Sequence, residues 1–333
     1  MPETLSLSDV RQLSFDALRG AGASDMQAGP VADSIMDAEA EGIRNVGLAF
    51  LPFYCRHLVI GKVKGDVVPD VRRTAPGSLV ADAKLGFCHT AYVAGEEQFH
   101  DMARTNGIAG FALTNSYTSG VIGWFPDRMA KAGLIGFTFT NASPAMAPFG
   151  GSKALFGTNP LAFGVPRKGK PPLVIDQSST ATAMVNVIKK MEAGEPIPDH
   201  WGLDGNGKPT TDPAIVLSEG TMAPSGGYKG AALALIVEIM AGGLGGANWS
   251  FEASSLVTDD GGPPTIGQFM LAIDPAKFAN PHLADRLEVL FEAMLAQEGV
   301  RLPGDRRHGF RVTAEKFGVE VPDDILETIR AYI

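Results

Sequence analysis

Two stretches in the middle of the chain echo each other: Gly107-Ile-Ala-Gly-Phe-Ala-Leu-Thr-Asn115 and Gly133-Leu-Ile-Gly-Phe-Thr-Phe-Thr-Asn141. Each is an apolar run behind a glycine, and each finishes in Thr-Asn. A glycine at the head ends a preceding helix, because it enters the left-handed conformation without a Cβ penalty. The runs are short and rich in aromatic and branched residues, which suits strands. The echo therefore predicts two successive helix–strand units in one sheet. Working outward, residues 78–83 predict a strand. Residues 89–106 predict a helix with Tyr92, Phe99 and Met102 inside. Residues 161–165, 173–176 and 266–273 extend the sheet. Ser8 is placed to cap a first helix carrying Val10, Leu13, Ala17 and Leu18 on one face. A second helix follows Pro30 and ends at Gly42, and a third carries Leu51, Tyr54 and Leu58 as far as Gly61. Residues 229–241 are apolar on most faces, which predicts a buried helix. Residues 259–265 predict a loop, and the chain turns helical again from His282. The fold class is α/β: a mixed sheet bracketed by helices.

A chain of 333 residues, 45% hydrophobic and 20% charged, buries a large core and suits about two domains. The net charge of -9 argues against nucleic acid or an anionic membrane as partner. Small anionic substrates remain compatible, since local basic residues override the global sign. Cys55 and Cys88 make no disulfide framework, and no metal-ligand spacing surrounds them. The first residues carry no signal-peptide pattern, so the expected compartment is the cytoplasm. The apolar segment 231–244 is too short to span a bilayer and contains Glu238.

Between two of the expected strands lies Pro148-Phe-Gly-Gly-Ser-Lys-Ala-Leu-Phe-Gly-Thr-Asn-Pro-Leu-Ala-Phe-Gly-Val-Pro166. Its knot, Gly157-Thr158-Asn159-Pro160, combines a glycine, a hydroxyl, an amide and a proline that restricts its neighbour. It is either an ordinary connection or a fixed polar turn that holds a small anion or a cofactor amide. The usual dinucleotide fingerprint is missing, because Gly243-Leu-Gly245 follows a helix rather than a strand. The phosphate-loop mimic at 164–170 lacks its Ser/Thr and runs into Pro171-Pro172.

Four other segments are candidates for anion or cofactor contact, each also readable as a capped turn or a solvated charge. Asn115-Ser-Tyr-Thr-Ser-Gly120 ends a strand in hydroxyls. Asp176-Gln-Ser-Ser-Thr180 ends another and was expected to open a helix. Gly226-Gly-Tyr-Lys-Gly230 places Lys229 at a helix start, where backbone donors collect. Arg301-Leu-Pro-Gly-Asp-Arg-Arg307 is a compact basic turn.

In order, Phe149-Gly-Gly, Gly157-Thr-Asn-Pro160, Pro209-Thr-Thr-Asp-Pro213, Gly226-Gly-x-Lys-Gly230 and Arg301-x-Pro-Gly-x-Arg-Arg307 resemble the malate/L-lactate dehydrogenase-2 family. That family includes sulfolactate dehydrogenases and the reductases of Δ1-piperideine-2- and Δ1-pyrroline-2-carboxylate. The resemblance covers nearly the whole chain. It implies a non-Rossmann NAD(P)-binding mixed sheet with a helical domain formed by both chain ends. The implied units are a helical 1–75, a cofactor and substrate unit at 76–278, and C-terminal helices at 279–333 that pack back on the first. It also implies a homodimer, NAD(P)H as cofactor, a small carboxylate as substrate and no metal. The implied cofactor contacts are Tyr117, Thr118, Ser119, Gly120 and Val121; Asp176, Gln177 and Ser178; Tyr228 and Lys229; and Arg301, Pro303, Gly304, Arg306 and Arg307. Thr158 falls where the family holds the substrate carboxylate.

The departures lie in the acid/base apparatus. The family's Ser-His-Gly tripeptide matches Asn45-Val46-Gly47, its substrate arginine matches Phe50, and the aspartate of the cyclic-imine branch matches Asn186. Valine moves no proton. The remaining donor candidates are His89, by residue type and its place at a helix start, and Tyr117 in the cofactor turn. Arg44 is the candidate replacement for the substrate arginine. Val46, Phe50, Met184 and Val185 would make the substrate pocket apolar. The implied reaction is hydride transfer at C2 of a 2-oxo/2-hydroxy acid. The alternatives are reduction of a cyclic or linear 2-imino acid and a catalytically weak NAD(P)-binding protein.

Overall fold

The computed structural model describes residues 2–333. Its centre is a seven-stranded sheet. In spatial order the strands are Asp70–Ala75, Ser78–Asp82, Ile108–Ser116, Ile266–Ile273, Ile135–Thr140, Leu161–Arg167 and Lys170–Gln177. Ser78–Asp82 and Ile108–Ser116 pair in parallel, and the other neighbours are antiparallel. Both echo stretches are strands, and their leading glycines are left-handed, at φ +83 for Gly107 and +86 for Gly133. They do not touch. Ile266–Ile273 inserts between them, with Met270 opposite Phe111 on one side and Thr138 on the other. A strand flanked on both sides and buried on both faces reads as a nearly continuous apolar run, as this one does. The helices Cys88–Asn106 and Trp124–Lys131 share one core with the sheet, built on Phe99, Met102, Phe125, Met129, Phe111 and Met270.

The first helix, Leu7–Gly20, is capped by Ser6 rather than Ser8. The Asp9 amide donates to Ser6 Oγ at 3.1 Å, and the Ser6 amide donates to the Asp9 carboxylate at 3.3 Å. That reciprocal box satisfies two amides that a cap at Ser8 would leave open. The second helix, Asp25–Ala40, runs through Pro30 instead of following it. Proline removes the N–H that would bond to Met26. The Thr90 hydroxyl donates to the freed Met26 carbonyl at 3.4 Å.

The chain ends meet. Glu3–Leu5 pairs antiparallel with Val319–Val321. One core joins Val10, Leu18 and Leu51 to Ala314, Leu326 and Ile329. Arg311 on the helix Asp305–Phe317 reaches Asp37 at 2.8 Å and Glu41 at 3.1 Å. The helix Leu283–Leu295 departs from the expectation that the C-terminal helices pack on the first ones. It lies against the sheet, where Phe291 packs with Val165 and Leu173, and Glu288 accepts two hydrogen bonds from Arg167 at 2.8 Å.

The expected buried helix is Tyr228–Glu238. It is buried on one face only, through Gly230, Ala231, Ala234, Val237 and Glu238. Leu235 and Ile236 are about half exposed, as is Ile239 just beyond. All-round apolar composition therefore does not by itself place a helix in the interior. Asp176–Thr180 opens no helix directly, because the next one starts at Met184.

At the end of this helix the buried Glu238 carboxylate collects a polar cluster. It accepts from Asn159 Nδ2 at 2.6 Å, Ser250 Oγ at 2.6 Å and the Ser250 amide at 2.5 Å. Asn159 also donates to Ala234 O at 3.0 Å and holds a left-handed φ of +38. The Gly157–Pro160 knot is thus nailed to the helix. Glu238→Ala would leave the Ser250 amide without an acceptor and take one hydrogen bond each from the Asn159 amide and the Ser250 hydroxyl, which keep Ala234 O and Asn159 Oδ1. The expected loss of stability is about 2–6 kcal/mol, from about 1–3 kcal/mol for the unsatisfied amide and about 0.5–1.5 kcal/mol for each of the two other bonds. Urea unfolding measures it, and a loss under about 1 kcal/mol would show that the cluster is not structural.

Candidate active site

Six chain segments converge on a cleft of about 400 Å³. The short turn Arg44–Val46 brings Asn45 and Val46, and Phe50 follows it. The end of the strand Ile108–Ser116 leads into Thr118, Ser119 and Gly120. The end of Ile135–Thr140 supplies Thr140 and Asn141. The nailed turn presents Thr158, and the helix Met184–Glu192 presents Met184 and Val185 at its first turn. Ser255, Leu256 and Val257 close one side. That loop is pinned from below. Lys62, 2% exposed, donates to Thr258 O at 2.8 Å and Asp260 O at 2.6 Å, and Arg56 pairs with Asp259.

A second cleft of about 530 Å³ adjoins the first and shares Ser178 and Ala183 with it. Asp176, Gln177, Thr180, Ser225 and Lys229 line it. Its floor is backbone. A Cβ on Gly230 would meet Ser225 O at 2.3 Å and Ser179 O at 2.9 Å, so only glycine lets the helix start this close. The helix Tyr228–Glu238 has no side-chain cap, so its first amides point outward beside Lys229. Behind this cleft the Asp176 carboxylate accepts the Gly123 amide at 3.0 Å and lies 4.0 Å from Arg307. Burial raises the Asp176 carboxyl above the usual range, against the pull of Arg307 and the Gly123 amide.

The structure thus gathers Thr118, Ser119, Gly120, Thr158, Ser178, Met184 and Val185 on the first cleft, and Asp176, Gln177 and Lys229 on the second. Other expected residues lie elsewhere. Arg44 faces a separate groove with Glu39 and Phe310, because the short turn that aims Val46 inward aims Arg44 away. Val121, Gly304 and Arg307 line a crevice with Val174 and His308. Tyr228 is exposed, its ring 6.2 Å from that of Phe149. Arg301, Pro303 and Arg306 are exposed and line neither cleft.

The two donor candidates are corrected in the same way. Tyr117 is buried, packed edge-on against Tyr54 and Phe87, with its phenol hydrogen-bonded to His57 Nδ1. Burial pushes that phenol far above its ordinary pKa. His89 stands behind Gly120: a Cβ there would lie 3.9 Å from His89 Nε2. Its ring stacks on Phe125, and among the described residues Nε2 has no hydrogen-bond partner. Burial lowers the His89 pKa to about 4, so it carries no proton to give near pH 7. The Cys55 and Cys88 thiols are free and buried, both pushed up to about 12, which leaves them unreactive.

Thr140, Asn141, Ser143 and the 255–257 loop were not foreseen as lining residues. Thr140-Asn141 carried a signal, the repeated Thr-Asn of the echo; the loop carried none. The first cleft holds no Asp, Glu, His, Lys or Arg. Its polar groups are hydroxyls, amides and backbone.

His89 makes a pH prediction. In the unfolded chain it titrates near its ordinary 6.5, and in the fold near 4. Its neutral form therefore contributes stability that is full above pH 6.5 and is lost as pH falls toward 4. The loss is about 3 kcal/mol, at 1.36 kcal/mol per pKa unit. His89→Gln should flatten this part of the stability-against-pH curve in urea titrations. An unchanged acid limb would show that other groups make it.

Residues 5–330 match the malate/L-lactate dehydrogenase family. The chain is 42% identical over 333 residues to a (2R)-3-sulfolactate dehydrogenase (NADP(+)) of Chromohalobacter salexigens, covering 100% of this chain and 98% of that protein. It is 37% identical to a Δ1-pyrroline-2-carboxylate reductase of Ancylobacter novellus, covering 99% of this chain and 97% of that protein. The fold superposes on Δ1-piperideine-2-carboxylate reductase from Pseudomonas syringae with a TM-score of 0.94 at 32% identity, covering 99% of this chain and 100% of that one. The chain belongs to the malate/L-lactate dehydrogenase family.

Proposed function

We propose that this chain is an NAD(P)-dependent oxidoreductase that moves a hydride to or from C2 of a small 2-oxo or 2-hydroxy acid. The observation that carries this reading is the pair of clefts meeting at Ser178. The second cleft suits a dinucleotide's phosphates: a glycine-built floor, outward amides at an uncapped helix start, and the Lys229 ammonium. When bound, the nicotinamide supplies or accepts the hydride. The chain's own residues hold both ligands. Thr158 offers its hydroxyl to the substrate carboxylate from a turn that Asn159 and Glu238 keep rigid. Thr118, Ser119 and Ser178 supply further hydroxyls where the clefts join. Val46, Phe50 and the 255–257 loop keep water from the reacting carbon.

A second reading, a cyclic or linear 2-imino acid as substrate, has a specific observation behind it. Reducing a ketone requires a proton at its oxygen, and no ionisable side chain lines the first cleft. A protonated imine brings its own proton. The protein acts in the cytoplasm as a homodimer; the exposed ridge of Leu235, Ile236, Ile239 and Leu244 supports pairing with a second copy.

Oxidation of NADH and NADPH against 2-oxo acids, with and without methylamine, and against cyclic imines tests the reading. Cofactor binding without turnover on any of them would leave only a binding protein. Lys229→Ala should weaken dinucleotide binding by about 1.5–3 kcal/mol in titration calorimetry, the range for a charge-assisted hydrogen bond. Thr158→Val should raise KM or lower kcat/KM with cofactor affinity intact. A fall in cofactor affinity alone would mean the substrate has been placed where the cofactor sits.

A further inference from the structure

The substrate cleft is walled by Val46, Phe50, Met184, Val185, Leu256 and Val257, from three separate parts of the chain. Its polar atoms belong to neutral groups. The cations around it are committed elsewhere. Arg44 lies in a groove beside Glu39, Arg56 pairs with Asp259, and Lys62 donates to the Thr258 and Asp260 carbonyls. Lys229 faces the adjoining cleft. A single carboxylate finds the Thr158 hydroxyl and neighbouring neutral donors. A second anionic group on the same molecule would give up part of its water for a wall that offers neutral donors, Asn45, Asn141, Ser143 and Ser255, and no counter-charge. An unpaired buried anion is among the most expensive groups a protein interior can accept.

We infer that this cleft selects substrates with one carboxylate and an uncharged, apolar body, and rejects those with a second carboxylate or a sulfonate. The inference rests on the assignment of this cleft to substrate and of the adjoining one to dinucleotide. Leu256 and Val257 are its specificity-determining residues from the loop side. Lys62 is a positioning residue, holding that loop in place through Thr258 and Asp260.

Matched pairs test it. With saturating NADPH or NADH, kcat/KM for 2-oxobutyrate should exceed that for oxaloacetate by about 100-fold or more, because the second carboxylate finds no counter-charge. Pyruvate against 3-sulfopyruvate should show the same order. Val257→Arg places a cation at an exposed position of the wall, where it disturbs no core packing. It should narrow both ratios by about tenfold or more. Phe50→Arg should do the same from the segment after the short turn. Equal or better use of oxaloacetate or 3-sulfopyruvate by the unaltered protein would overturn the inference. If no acid is turned over, calorimetry with butyrate and succinate in the presence of NADP+ decides it separately. Butyrate binding without succinate binding upholds the selection even though the oxidoreductase reading fails. Succinate binding as tightly as butyrate overturns the selection.

Discussion

A carboxylate buried in an apolar helix organises this molecule. Glu238 sits where the helix Tyr228–Glu238 passes beneath the Gly157–Pro160 turn and the 248–250 segment. Left alone, a dry carboxylate would be strongly unfavourable; surrounded by the Asn159 amide and both donors of Ser250, it holds parts of the chain that are distant in sequence. Two consequences reach the site. The left-handed Asn159 is fixed, so Thr158 faces the cleft in one orientation. The helix is fixed too, and its first turn carries Lys229 and the glycine floor of the adjoining cleft. One buried acid therefore ties together elements that line the two clefts.

The sheet does the remaining positioning. Ile266–Ile273 separates the two echo strands, so their Thr-Asn ends stand on either side of it rather than side by side. Asn141 is drawn into structure, its Oδ1 accepting the Gly267 amide at 3.0 Å and its Nδ2 donating to Asn248 O at 2.8 Å. Asn115 takes a left-handed φ of +52 and bonds Asp82 at 3.1 Å, which turns the chain toward Thr118–Gly120. Behind that turn lies a dry polar layer of His57, Tyr117 and His89. It supports the cleft wall from inside and contributes nothing to its surface.

Much of this was legible because it rests on periodicity and backbone chemistry. The echo, its glycines, the strand at 266–273 and the Gly157–Pro160 turn all follow from local patterns. What was not legible depends on which way a side chain leaves a turn. Arg44 and Val46 are two residues apart, and only one can face inward. Tyr117 and Thr118 are adjacent, and the fold buries one and opens the other. Residue type favoured His89 and Tyr117 as donors, but type says nothing of burial, and burial takes both out of the cleft and leaves His89 without a proton to give. Pro30 misled for a different reason: the rule that proline breaks a helix holds only when nothing satisfies the freed carbonyl, and here Thr90 does.

The charge distribution of the two clefts bears on how they are used together. A dinucleotide is a polyanion, and the donors that suit it, Lys229 and the helix amides, are gathered in one cleft. A small carboxylate bears less charge and enters a cleft with none of those cations. If the lysine stood in the common region, a free substrate anion would compete for it before the cofactor arrived. On the proposed assignment, separating them would leave the substrate cleft without a cation of its own. An oxidised nicotinamide, held as proposed, would bring a positive charge that a neutral lining leaves unscreened. A hydroxy-acid carboxylate would then find its electrostatic partner in the cofactor rather than in the chain. An apolar lining is thus no obstacle to binding one anion, because it sharpens that one attraction. It offers a second anion at the far end of the same molecule no cation.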